Sequence, residues 1–261
     1  MFRRLRANRF VVSLAIVLQF GVARADFDAA VSGSYRSYPL SGVAETTVGY
    51  GELLWGTEAD ALYGFVRLAA DFDAITQYQA TAVRFEFFPI SILGARVGQL
   101  WQQNHQDYSS YDCVNNVCRG YFSEKYAEGQ LFLGVGPLKL SGSYRYTIKS
   151  AGEVSNPNAL TYYIDPESGL QFTNGQIDHS WRARGAALVE LSPEYSLGYS
   201  QTQFVSDRSD EKSNLWIAFA QGAWGPAKLV VGGGEYDSSL HTSHSTVIAY
   251  GQWTFWPKLG F

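Results

Sequence analysis

Leu138-Lys139-Leu140-Ser141-Gly142-Ser143-Tyr144-Arg145-Tyr146-Thr147-Ile148-Lys149 divides by parity. Leu138, Leu140, Gly142, Tyr144, Tyr146 and Ile148 form one set; Lys139, Ser141, Ser143, Arg145, Thr147 and Lys149 form the other. Successive side chains of a strand point to opposite faces, so the stretch predicts a β-strand with one greasy and one wet face. Trp181 to Leu191 repeats the pattern, with Trp181, Ala183, Gly185, Ala187, Val189 and Leu191 on one side. So does Leu62 to Phe72, where Leu62, Gly64, Val66, Leu68, Ala70 and Phe72 oppose Tyr63, Phe65, Arg67, Ala69 and Asp71. Each run is about 11 residues long, which matches the 9 to 11 a tilted strand needs to cross a bilayer. Strands of soluble proteins average nearer 5 or 6.

The N-terminus fits the same destination. Arg3, Arg4, Arg6 and Arg9 precede a nearly unbroken apolar run, Phe10 to Val22, which ends in Ala23-Arg24-Ala25. A basic start, a short apolar core and a small-x-small site in that order predict a secretory signal peptide, 1–25, with cleavage leaving Asp26 first. The apolar core is shorter than the roughly 20 residues that a membrane helix needs. The remaining 236 residues, 26–261, are expected to form a single barrel domain. They carry 15 basic against 24 acidic groups, a net charge of −9, which argues against a nucleic-acid surface. Four histidines and two cysteines are too few for most metal frameworks, and no cofactor is expected. Aromatic residues make up 15% of the chain and there are 26 glycines. No apolar stretch after the signal reaches the 18 residues that mark a spanning helix, which leaves a soluble β-fold or a membrane barrel.

Twelve strands are predicted, near 27–38, 44–56, 60–73, 76–88, 90–104, 119–135, 138–150, 178–191, 194–206, 212–224, 227–238 and 243–256. Merging or losing one hairpin would give ten. One set of connections is tight and rich in proline: Trp55 to Asp60, Phe88-Pro89-Ile90, Gly136-Pro137-Leu138, Leu191 to Glu194 and Gly225-Pro226-Ala227. Proline fixes φ and lacks a donor, so it belongs in these turns. The alternate set is mostly longer and polar, including 105–118, 151–177, 207–211 and 239–242; its first two members, 39–43 and 74–75, are short. Trp55, Phe87, Phe88, Trp181, Trp224, Trp253 and Trp256 gather near strand ends, as interfacial girdles require.

These features together resemble the bacterial outer-membrane β-barrel class, porin-like in general, and the likeness runs over all of 26–261. The resemblance implies a closed antiparallel up-and-down transmembrane barrel in contact with outer-membrane lipid, with short turns periplasmic and long loops extracellular. It also implies a C-terminal aromatic signal for insertion. Phe261 matches that signal, but Pro257 interrupts the strand before it, so either Tyr250 to Phe255 carries the signal or the signal is atypical.

With the apolar parity outward, the inward set holds Arg36, Glu52, Arg67, Asp71, Arg84, Glu86, Arg96, Glu128, Arg145, Arg182, Arg184 and Glu190, together with Glu235. An arginine facing lipid at mid-depth costs about 2 to 4 kcal/mol, which is why these residues are assigned to the lumen. In one reading the basic rows Arg67, Arg84, Arg96 and Arg145, Arg182, Arg184 line a pore for small polar or anionic solutes. In the other they pair with the carboxylates and fill the barrel with ion pairs. Cys113 and Cys118 predict a local disulfide that stiffens a loop tip. The loop 151–177, with Pro157, Tyr162, Tyr163, Asp165, Pro166 and Glu167, either folds into the mouth or binds a protein partner outside.

Some barrels that resemble this one in size are lipases, lipid A deacylases or proteases, which makes the histidines candidate catalytic groups. His105, His179, His241 and His244 all fall at the outer ends of strands or in outer loops. Nucleophilic catalysis needs a base within hydrogen-bond reach of the hydroxyl. His179 and Ser180 are adjacent on a strand and point to opposite faces; His241 and Ser243 share a face only if the last strand extends that far. A small channel is the leading expectation, a plugged structural or partner-binding barrel the alternative, and a lipid hydrolase the third.

Overall fold

Alternation of this kind builds sheets, and a sheet with no free edge must close on itself. The computed structural model describes residues 26–56, 62–74, 78–107, 113, 117–151, 162–165, 168–173, 176–207, 209–239 and 241–256. The expected signal segment 1–25, the terminal residues Pro257 and Phe261, and Pro157, Pro166 and Glu167 lie outside the described residues. The strands are β1 (Asp26–Arg36), β2 (Ser41–Trp55), β3 (Gly64–Ala74), β4 (Tyr78–Ile90), β5 (Leu93–Asn104), β6 (Gly120–Val135), β7 (Leu138–Ala151), β8 (Tyr162–Ile164), β9 (Gln171–Thr173), β10 (Ile177–Glu190), β11 (Tyr195–Ser206), β12 (Lys212–Trp224), β13 (Ala227–Ser238) and β14 (His241–Trp256).

Twelve of these strands form one closed antiparallel barrel in the order β1-β14-β13-β12-β11-β10-β7-β6-β5-β4-β3-β2. Each pairs with its chain neighbour, and β1 closes on β14 from Arg36↔Ile248 down to Ala29↔Trp256. All twelve expected strands are present, and the ten-strand alternative is excluded. The two-stranded sheet β8-β9 stands apart, inside the connection between β7 and β10. Its strands are three residues each, too short for parity to reveal.

The tight turns share one end of the barrel, called the lower end here. Val135 pairs with Leu138 and Trp224 with Ala227, so Gly136-Pro137 and Gly225-Pro226 are two-residue hairpin loops. Gly136 and Gly225 have φ of 57° and 55°, which the first central position of such a turn requires and which other residues resist.

The outward face is apolar along its middle. Leu68, Phe85, Val97, Leu131, Tyr144, Leu197, Tyr199, Trp216, Val231 and Val247 are all exposed there. An apolar belt running round a molecule is far beyond what a water-soluble monomer shows.

Two parity expectations and one girdle assignment are corrected. Glu52 is exposed on the outward face of β2 with Tyr50 and Leu54, while Leu53 points inward and packs against Phe65 and Phe88. Glu235 also faces outward, because its neighbour Tyr236 is the inward, buried residue of β13; the Glu235 carboxylate accepts from the Ser243 hydroxyl. The cost of an outward charge is steep only near mid-depth, and these two residues stand near opposite ends of the barrel, where parity carries little penalty. Phe88 points inward and stacks on Phe65 at 4.6 Å, leaving Phe87 outward.

Candidate functional site: the lumen and its outer mouth

The lumen is organised by strand register. Arg67 of β3 pairs across to Glu86 of β4, Glu86 to Arg96 of β5, Arg96 to Glu128 of β6, Glu128 to Arg145 of β7, and Arg145 to Arg182 of β10. One row across six neighbouring strands therefore carries six charged side chains on the inward face. Cross-strand opposition is the position at which opposite charges attract most directly.

The contacts follow the row. Arg67 Nη1 lies 3.3 Å from Glu86, Arg96 Nη2 lies 2.9 Å from the same carboxylate, and Arg96 Nη1 reaches Glu128 at 4.0 Å. Arg145 and Arg182 both donate to Glu128 Oε2, the latter at 3.1 Å. One residue set above the row, Arg84 pairs with Asp71 and donates to Glu86 at 3.0 Å, and Thr47 donates to Asp71 at 2.7 Å. Below it, Arg67 donates to both carboxylate oxygens of Asp28 on β1, from Nε at 2.7 Å and Nη2 at 2.5 Å. That contact passes over Gly49 of β2, where an added Cβ would sit 2.4 Å from Arg67 Nη2 and 2.5 Å from Asp28 Oδ2. A glycine is thus required for the charges to meet.

Arg67 and Glu86 are almost fully buried, at 1% and 0% exposure. Buried ion pairs of this kind contribute little net stability over an apolar filling, but removing one member leaves its partners charged and unmatched.

The other expected lumen residues lie elsewhere. Arg184 shares the inward parity of Arg182 on β10, yet is exposed. Glu190 pairs with Lys139 at 2.6 Å near the lower rim, and Arg36 Nε donates to the Pro39 carbonyl at the outer end. Aromatic packing lies below the row: Phe65, Phe88 and Phe132 form an inward apolar collar with Leu53 and Tyr63.

Above the row, the mouth is crossed by the β8–β9 hairpin. On one side, Val117 N donates to the Tyr162 carbonyl at 2.9 Å and Ile164 N to the Val117 carbonyl at 3.1 Å. Lys149 of β7 bridges Glu124 at 2.7 Å and Asp165 at 3.1 Å, and the Tyr163 ring packs on Phe122 at 4.8 Å. On the other side, Ser213 Oγ of β12 and Tyr236 OH of β13 both donate to the Ser168 carbonyl, at 2.7 and 2.8 Å. Gln171 N donates to Glu211 at 2.8 Å. The hairpin turns through Gly169 at φ 69°, with Ser168 N donating to Asp165 at 3.1 Å. Leu170 and Phe172 are buried, in a cluster with Phe122 and Phe204. Burial raises the Tyr163 hydroxyl above the ordinary tyrosine range and likewise raises the Glu211 carboxyl. A second piece, residues 37–40, joins the hairpin. Thr246 Oγ1 donates to the Tyr38 carbonyl at 2.7 Å, Pro39 is fully buried, and the Tyr38 ring lies 4.0 Å from His244 and 5.8 Å from Tyr236.

Cys113 and Cys118 are disulfide-bonded. Their role differs from a stiffened loop tip: Cys118 is buried against Ile164 of the hairpin, one residue from the Val117–Tyr163 bridge. Asp107 lies beside the two sulfurs, but the disulfide consumes both thiolates, and Asp107 pairs with Arg119 at 2.6 Å.

The histidines do not form a nucleophilic arrangement among the described residues. His179 faces outward and hydrogen-bonds the Tyr146 hydroxyl, while Ser180 is buried on the opposite face. The His244 ring packs at a tilt against Tyr38, His105 is exposed, and of His241 only the backbone is described.

Asp28, Glu124, Lys149 and Lys228 were missed as lumen residues. Asp28 shares parity with Arg36, and Lys149 with Arg145, so a full reading of both strands finds them. Lys228 offers no such signal, because the two faces of β13 are equally mixed in composition.

No protein-family model matches the sequence, and no curated protein is similar to it. Among solved structures, the chain is similar to the NanC porin (14% identity, 88% of this chain and 100% of that one, TM-score 0.43). It is also similar to LpxR from Salmonella typhimurium (8% identity, 87% and 99%, TM-score 0.45). A third is an outer-membrane channel from Pseudomonas putida F1 (8% identity, 90% and 97%, TM-score 0.44). The likeness is one of overall barrel shape.

Proposed function

We propose that the protein is an integral outer-membrane barrel that passes small polar solutes through a lumen narrowed at its outer mouth. The carrying observation is the exposure of Arg184 on the inward face. A guanidinium that faces into a barrel and still meets solvent marks an aqueous interior, whereas a barrel packed solid with ion pairs would bury it. The apolar outward belt supports insertion in a bilayer, and the tight turns then face the periplasm. The inward hairpin supports a constriction in preference to an external docking arm, because its polar contacts are made with inward residues of the wall.

The ion-pair row favours one competing reading, a barrel closed by its own salt bridges. The experiment is conductance in planar bilayers of protein whose folded state is established by heat-modifiable gel mobility. Discrete conductance steps are expected. Folded protein with no steps at any applied voltage would overturn the channel and leave the closed barrel. A hydrolase finds no support in the placement of His179 and His244.

A further inference from the structure

Among the described residues, the outward face of the barrel carries one lysine that lies between the ends of its strand. Lys125 of β6 is exposed with the outward parity of Tyr121, Leu131 and Leu133, while its neighbours Glu124 and Tyr126 turn inward to Lys149 and Arg145. Register sets it opposite Gln99 of β5 and Ile148 of β7, both uncharged, and sets Ile148 opposite His179 of β10. No described residue forms an ion pair with Lys125. Ile148 stands about 25 Å above Leu138 along the barrel axis, from a rise of about 3.3 Å per residue and a tilt of about 40°, and the apolar band of such barrels has the same height. Lys125 and His179 therefore lie at the outer edge of the band, where lipid headgroups begin.

Aromatic rings cover the same stretch of wall. Trp181 of β10 packs against Tyr144 at 5.2 Å and Tyr146 at 4.4 Å, and the Tyr146 ring stacks on His179 at 5.6 Å. Their polar edges are tied off: the Tyr146 hydroxyl shares a hydrogen bond with His179 Nδ1, and Trp181 Nε1 donates to Asp207 at 2.6 Å. The His179 backbone is held as well, since its carbonyl accepts from Asp207 N at 3.0 Å. An interfacial girdle needs no such ties. With Nδ1 engaged, His179 keeps Nε2 for a ligand, and when the Tyr146 hydroxyl is the donor, the ring proton sits on Nε2.

We propose that this sector of the outer wall binds a phosphorylated glycolipid of the outer leaflet, its phosphate held by Lys125 and His179 Nε2 and its sugar resting on Tyr146 and Trp181. Two strand spacings, about 10 Å, separate the backbones of Lys125 and His179, and both side chains are long enough to meet one phosphate above Ile148. The ammonium and the ring N–H each give it a charge-assisted hydrogen bond. A sugar ring offers a flat C–H face to the aromatic rings and a glycerol headgroup does not, which favours a glycolipid. Asp207 lies beyond Trp181, on the side away from Lys125, and repels a phosphate placed there. The site rests on the membrane placement of the barrel with this end outward, and not on conduction.

The test titrates the folded, detergent-solubilised full chain with diphosphorylated lipid A and reads bound lipid by native mass spectrometry. One lipid A retained saturably is expected, with dephosphorylated lipid A and phosphatidylglycerol weaker. Lys125→Gln should weaken lipid A about tenfold, the effect of losing one charge-assisted hydrogen bond, and His179→Ala should weaken it too. Trp181→Ala should cost lipid A affinity and leave phosphatidylglycerol unchanged. Lys212→Gln removes the outward lysine at the end of β12 and should match the parent. Parent-like binding by Lys125→Gln, an equal loss in Lys212→Gln, phosphatidylglycerol binding as tightly as lipid A, or no lipid A retained by the parent would each overturn the site. Conductance without lipid A binding removes the site and keeps the channel; binding without conductance removes the channel and keeps the site. Binding in micelles, with a cysteine placed in the Gly225-Pro226 turn labelled from outside intact cells, would overturn the outer-leaflet assignment.

Discussion

At Gly49 an absent side chain lets Arg67 reach Asp28 across an intervening strand, and Gly94 does the same for Phe88, whose ring atoms come within 2.4 Å of a would-be Cβ. Gly49→Ala should therefore part a buried ion pair and destabilise the barrel by about 3 kcal/mol, the scale for breaking such a pair. Gly129→Ala serves as the control, since nothing lies within 4 Å of its Cβ position. Urea unfolding followed by heat-modifiable mobility measures both, and equal stability of the two variants would show that the Gly49 gap is not needed. At this scale the sequence was legible where parity was clean, as at Arg145 and Glu128. It misled at Glu52 and Glu235, because the rule that hides charge from lipid weakens towards the ends of a strand.

Elements of the wall and elements of the mouth differ in how they announce themselves. The barrel strands run 11 to 16 residues and carry their own periodicity, so all twelve are readable. The mouth hairpin has three-residue strands held by contacts with partners far away in sequence: Ser168 with Tyr236, Tyr162 with Val117. No local pattern encodes those contacts, so parity does not distinguish an inward from an outward loop; the burial of Leu170 and Phe172 against Phe122 and Phe204 does. Tyr236→Phe combined with Ser213→Ala removes both donors to the Ser168 carbonyl, at about 1 kcal/mol each. Proteolysis between β7 and β10 should become faster and single-channel conductance larger or noisier, with the barrel's own unfolding unchanged. Unaltered proteolysis and conductance would mean that the two hydrogen bonds do not seat the hairpin.

For the whole molecule, closure removes every edge of the barrel sheet, the apolar belt turns outward, and the register sorts six of the inward charges into one row. Register is what converts a set of six scattered residues into a network, since a slip of one residue on any strand would send its member of the row to the outside. The division of faces carries the fold, the membrane placement and both functional proposals. It is tested most directly by spin labels placed one at a time along β7 from Leu138 to Ser143 in lipid vesicles, with collision rates measured against oxygen and against a water-soluble nickel chelate. Labels at 138, 140 and 142 should favour oxygen, and labels at 139, 141 and 143 the chelate. Equal access of the chelate to both sets would contradict the account.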